Sequence, residues 1–159
     1  MATGEKPEFP GGTPDEVELL LRWLGYLRGA VLRKAEGVSD SDARWTPDGR
    51  LICLLGIINH LTHVEWRWID GSMRNQIVSR SEEEFAPGAE LSVGAAVAAY
   101  RRRAEDTDAA VRSMSLTQAS SWDEHKDLRW VLLHLINETA RHAGHADATR
   151  EMLDGTTGE

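Results

Sequence analysis

The chain has a single cysteine, Cys53, among 159 residues. One thiol cannot close an internal disulfide, so the fold must be held by packing and polar contacts, as expected in a reducing cytoplasm. Long hydrophobic runs are missing too. Nothing approaches the roughly 18–20 apolar residues that a membrane span needs, and no apolar core follows the first residues as a secretion signal would require. Basic excess is also lacking: 18 Lys and Arg stand against 26 Asp and Glu, a formal net charge of −8. A nucleic-acid binder draws most of its non-specific affinity from a basic surface, so that class is not expected. The one basic run, Arg101-Arg102-Arg103, is followed by Glu105, Asp106 and Asp108 and reads as a solvated helix face. The chain lacks strand-like alternation, internal repeats, a Gly-rich phosphate loop, Gly-x-Ser-x-Gly and His-Glu-x-x-His, which leaves nucleotide-enzyme and hydrolase readings without support.

What is present is helical period. With 41% hydrophobic and 28% charged residues, the composition is that of a globular protein, most simply one domain over residues 13–155. A loose polar arm, 1–12, precedes it and a short tail, 156–159, follows. Thr13-Pro14-Asp15-Glu16 predicts a helix start with Thr13 as N-cap, and Gly37 a stop. Leu19, Leu20, Trp23, Leu24, Leu27, Val31 and Leu32 recur between them at helical spacing. After a connection with a short helical turn begun by Ser39, a second helix is expected from Leu51 to Ile69, closed by Asp70-Gly71. Residues 72–91 read as a long mobile loop of the kind that often lies over a site. Ser92 is expected to cap a third helix reaching Met114. A fourth should run from Leu128 to Leu153, ended by Asp154-Gly155. Four long amphipathic helices with two long connections predict an all-α four-helix bundle, a fold that builds metal sites from inward side chains of facing helices.

Four of the six histidines fall in two short stretches of these helices, in Asn59-His60-Leu61-Thr62-His63-Val64-Glu65-Trp66 and in Glu138-Thr139-Ala140-Arg141-His142-Ala143-Gly144-His145. Residues four apart share a helix face, so Glu138 and His142 can reach one ion. A histidine from the second helix, His60 or His63, would complete three protein ligands with a position left open, the arrangement of a catalytic metal site. The plainer alternative is that Glu138 and His142 form an ordinary ion pair on a wet face. Gly56, Ala140, Ala143 and Gly144 are small enough to let helices approach closely there. Cys53 reads as a small buried hydrophobe rather than a nucleophile. Trp66 and Trp68 read as packing residues, with the shaping of a ligand pocket as the lesser reading, and His63 and His134, taken singly, as surface or packing residues.

Three runs carry a resemblance. They are Leu32-Arg33-Lys34-Ala35-Glu36-Gly37-Val38-Ser39-Asp40, Leu54 to Glu65, and Leu133 to Asp147, the last reading Leu-His-Leu-Ile-Asn-Glu-Thr-Ala-Arg-His-Ala-Gly-His-Ala-Asp. Together they resemble the DinB-like superfamily of metal-binding four-helix bundles, which includes mycothiol-dependent maleylpyruvate isomerase and the bacillithiol and mycothiol S-transferases. The resemblance implies a metal triad of His60, Glu138 and His142. Many relatives carry histidine in place of Glu138, and the maleylpyruvate isomerase type carries glutamate. His63 and His145 fall outside the triad and are left as candidates for proton transfer beside it.

The expected function is that of a metal-dependent enzyme transferring a low-molecular-weight thiol, mycothiol by the resemblance, to a small electrophile, or isomerising one through thiol addition and elimination. One carboxylate and two imidazoles suit Zn²⁺, with Ni, Fe or Mn as alternatives. A non-catalytic bundle for binding or oligomerisation, with a structural metal or none, is the competing expectation. A homodimer is compatible with either, since bundles readily add helices.

Overall fold

The computed structural model describes residues 8–157. Among them stand four α-helices: α1 Glu16–Arg33, α2 Leu54–Trp66, α3 Val93–Arg112 and α4 Leu128–Asp154. Among the described residues no strand is formed beyond one isolated bridge between Ala119 and Asp127. No helix of the described residues is long and apolar enough to cross a membrane. The chain is thus an all-α bundle. Helix α1 packs on α4 and α2 on α3, while α2–α4 and α1–α3 contacts close the ring. The core divides into two clusters along the bundle axis. One gathers Leu54, Leu55, Ile57, Ile58, Leu61 and Tyr100, and the other Leu24, Ile69, Val111, Leu128, Leu132 and Leu135.

Local chemistry moves several boundaries. Helix α1 is capped by Asp15, which accepts the Glu18 N–H at 3.1 Å. Thr13 instead accepts the Asp15 N–H at 3.3 Å, one step outside the helix. Helix α2 begins three residues later than its apolar pattern predicts. The Asp48 carboxylate accepts the N–H groups of Arg50 and Leu51 at 2.9 and 3.0 Å, which holds that segment in a turn, and Leu51 is 47% exposed. Cys53 is the N-cap, its Sγ 3.4 Å from the Gly56 nitrogen, and it is half-buried against the core.

Helix α2 also does not stop at Asp70-Gly71. It widens into a π-helical stretch, Arg67–Met73, with both residues buried inside it. Asp70 is stabilised there by Arg103 of α3 at 2.8 Å and by Arg74 at 3.2 Å. Gly71 lies under Trp122 and Val78, each only 2.6 Å from where a Cβ would sit, so no larger side chain fits. The segment 115–127 is pinned rather than free. The hydroxyls of Ser72 and Ser120 share a hydrogen bond of 2.6 Å, and the Ser121 N–H bonds the Ser72 carbonyl at 2.8 Å.

Two further expectations change. Phe9 stacks on Trp23 and Tyr26 with ring centroids 6.0 and 5.5 Å apart, and Arg22 donates to the Gly11 carbonyl at 3.1 Å. The described part of the predicted loose arm is therefore fastened to α1, while residues 1–7 lie outside the described residues. So do the last two residues of the tail. Ala140 and Gly144 face outward and take no part in close helix approach. Gly56 does permit a close approach, but by a connection: a Cβ there would collide with the Phe85 carbonyl oxygen.

Candidate metal centre

His60, Val64, Arg67 and Trp68 occupy successive turns of α2 and its π-helical extension. At 3.6 residues per turn these positions fall on one face. On α4 the same rule aligns His134, Glu138, His142 and His145. Where the two faces meet, one ligand atom from each of His60, Glu138 and His142 lies within 4.8 Å of the others. The His60 Nε2 is 3.8 Å from the Glu138 Oε2, and the His142 Nε2 is 3.6 Å from the same oxygen. The imidazole rings stand edge to face, 4.8 Å apart at an interplanar angle of 69°.

The protonation states suit a cation. Burial holds His142 down to about 4, with the neighbouring His60 adding to the effect, so its imidazole is neutral near pH 7. Burial lowers His60 as well, against the opposing pull of Glu84 and Glu138. Neutral imidazole is the form that ligates metals. The His60 Nδ1 lies 2.6 Å from the Glu84 carboxylate. Burial would raise Glu84, but hydrogen bonds from Arg67 and His60 outweigh it and hold the group below the usual carboxylate range. An ionised carboxylate can only accept, so Nδ1 carries the proton and Nε2 keeps its lone pair toward Glu138 and His142. Two imidazole nitrogens and one carboxylate oxygen, with one imidazole oriented by a second carboxylate, fit Zn²⁺ or another borderline divalent ion.

Glu84 is the residue that sequence reasoning missed. It sits in a short 3₁₀ turn, Glu82–Glu84, within the predicted mobile loop, yet it is only 2% exposed. Both of its oxygens are engaged by the Arg67 guanidinium, Nη2 lying 2.7 Å from Oε1. The Asn59 amide donates to its backbone carbonyl at 2.9 Å, and Phe85 stacks on His60 with centroids 4.5 Å apart. The close approach at Gly56 lets this turn reach α2.

Cavities flank the three donors on both sides of Glu138. One, of about 410 Å³, is bounded by His60, Arg67, Trp68, Arg80, Trp122 and Glu138. The other, of about 330 Å³, is bounded by Glu138, Arg141, His142 and His145. The buried His145 Nε2 has no hydrogen-bond partner among the described residues. His63 is not brought to this site. Its Nδ1 bonds the Asn59 carbonyl at 2.8 Å, and it lines two other cavities together with residues such as Trp66 and Leu91. His134 packs on Trp130 and Trp68, with centroids 5.3 and 4.7 Å away. Trp68 lines the larger cavity, so it shapes a pocket besides packing.

Residues 19–155 match the family described as Mycothiol-S-transferase. The chain belongs to the mycothiol S-transferase family. That family lies within the DinB-like superfamily, and the match spans all three donors together with Glu84 and Arg67. No curated protein matches the chain.

The displacement of His63 gives a direct expectation within this frame. His63→Ala should leave bound metal unchanged and activity within about twofold, since surface changes away from a site rarely exceed ~0.5 kcal/mol. Metal analysis beside steady-state rates checks it, and metal lost in that variant would return His63 to the site.

Proposed function

We propose that the chain is a metal-dependent S-transferase that joins a low-molecular-weight thiol to a small electrophile. The family supports S-transfer over isomerisation, and it supports mycothiol as the thiol. The observation that carries metal dependence is the convergence of His60, Glu138 and His142 within 4.8 Å beside two cavities. A structural site is normally closed by a fourth protein ligand. Among the described residues only three converge here, which favours the enzyme reading over a non-catalytic bundle.

His60, Glu138 and His142 would hold the ion, Zn²⁺ by donor chemistry with Ni, Fe or Mn as alternatives. The bound ion would supply acidification of a thiol near neutral pH, so that the nucleophile exists as thiolate. The chain's own residues do the rest. Glu84 and Arg67 fix the His60 ring, so its Nε2 keeps one direction. Glu138 stands between the two cavities and separates the space for the thiol from the space for the electrophile. His145 borders the smaller cavity, and its buried Nε2, without a hydrogen-bond partner among the described residues, is the base nearest to hand for the thiol proton. In the transfer a sulfur–carbon bond forms, the bond from carbon to the leaving group breaks with its electron pair, and the thiol proton passes to His145 and then to solvent.

The test uses monobromobimane with mycothiol. Thiol-dependent loss of the electrophile, with release of bromide, should vanish when the protein is stripped by a chelator and return when Zn²⁺ is added. Activity that survives complete metal removal would overturn the reading.

A further inference from the structure

We infer that the larger cavity beside Glu138 selects planar, conjugated electrophiles that carry a carboxylate, held by Arg80 and stacked on Trp122 and Trp68. This rests on the S-transfer reading above and names the substrate class of that site.

Charge points to an acid. Two guanidiniums border the cavity, those of Arg67 and Arg80. Arg67 is neutralised, because both oxygens of Glu84 are bound to it. Arg80 is not. Its guanidinium carbon lies 5.3 Å from the centre of the Phe85 ring, and among the described residues it has no carboxylate partner. It stands on the exposed rim of the cavity, where an incoming carboxylate reaches it with little desolvation. A guanidinium presents a planar fork of donors that matches a carboxylate.

Shape points to a flat molecule. Trp68 and Trp122 meet with centroids 5.3 Å apart at 56°, and His134 lies against Trp68 at 4.7 Å. Trp122 is 50% exposed, yet it is positioned by its neighbours. Its backbone N–H donates to the Ser120 hydroxyl at 3.0 Å, and its ring lies over Gly71. A half-exposed indole held in place beside a cavity is a stacking platform. Arg80 lies 5.3 Å from the Phe85 ring, which in turn stacks on His60 at 4.5 Å, so the carboxylate anchor is one ring away from the donor cluster in a cavity that Glu138 and His60 also line. A ring lying between them presents its reactive carbon to the donor cluster.

The probes are chlorodinitrobenzoate and its neutral counterpart chlorodinitrobenzene. In each, a carbon–sulfur bond replaces the carbon–chlorine bond, chloride leaves with the bonding pair, and the thiol proton is lost to solvent. Binding is read separately from turnover, by tryptophan quenching with unreactive dinitrobenzoate on the full chain, with and without Zn²⁺. The acid should show the higher kcat/KM. Arg80→Gln should weaken dinitrobenzoate binding about tenfold and erase the preference, leaving the neutral substrate untouched. Trp122→Ala should weaken both. Equal use of the two substrates, or an acid affinity indifferent to Arg80→Gln, would overturn the inference while leaving S-transfer standing. Failure of every electrophile to turn over, with Arg80-dependent binding intact, would instead count against S-transfer.

Discussion

His142→Ala should abolish stoichiometric metal binding and reduce thiol transfer to background. Three side chains converge on one point, the His142 Nε2 lying 3.6 Å from the Glu138 Oε2, and three protein ligands are the usual complement of a catalytic zinc site. Removal of one leaves two, too few to retain a divalent ion through purification. The loss is not offset by a neighbour. His63 faces other cavities, and His145 would have to swing in from the next turn of α4. Nor does protonation mask the effect: burial holds His142 at about 4, so near neutral pH the wild-type ligand needs no proton removed before it binds. Folding should survive, because the side chain lies at the edge of a cavity rather than in either core cluster. The check is metal analysis of wild type, His142→Ala and Glu138→Ala, with circular dichroism to show that helix content is kept. Equal, substoichiometric metal in all three would dismiss the site.

The parts of this site differ in how well the sequence reveals them, and the reason is the range of the interaction. Glu138 with His142 is a one-turn relation inside a single helix, and helical period exposes it directly. The four helices were legible for the same reason: Leu24, Val31, Leu55, Ile58, Leu61, Leu132 and Leu135 recur at helical spacing and are all buried. The choice of His60 over His63 is not local. Both lie on α2, and only packing against α4 turns one toward Glu138. The resemblance to a known family favours His60 where spacing leaves both open, and it is His60 whose Nε2 lies 3.8 Å from Glu138. The π-helical stretch Arg67–Met73 was hidden because the ion pair that compensates its buried Asp70, with Arg103, joins residues on different helices. Glu84 was hidden most completely. It is the third glutamate of Ser81-Glu82-Glu83-Glu84, a run with the composition of a solvated loop. Glu82 and Glu83 are indeed exposed. Nothing local distinguishes Glu84 from them. Its burial depends on His60, Arg67 and Asn59, all contributed by α2 and its extension, and on the absence of a side chain at Gly56.

That placement predicts the second large effect, at a residue that touches neither metal nor substrate. Glu84→Gln should weaken metal binding by about 10–100-fold, the range typical for loss of a partner that orients a histidine ligand. The amide can still accept the His60 Nδ1 proton, so the shape of the turn is kept, but the negative charge that fixes the tautomer and makes Nε2 a better donor is gone. The same change leaves the Arg67 charge without its partner at the wall of the larger cavity, where a free guanidinium competes with the cation. Glu84→Ala removes the acceptor as well and should be the more damaging, through both metal affinity and fold. Glu82→Ala and Glu83→Ala, two residues and one residue away and exposed, should behave as wild type. Competition with a chelator of known affinity gives the metal dissociation constant for each, and saturating Zn²⁺ should restore much of the Glu84→Gln rate. A positioning role requires that rescue. If Glu84→Gln binds metal as tightly as wild type but unfolds more readily, Glu84 serves the fold alone, and the His60 ring is held by its stack on Phe85 and its place on α2.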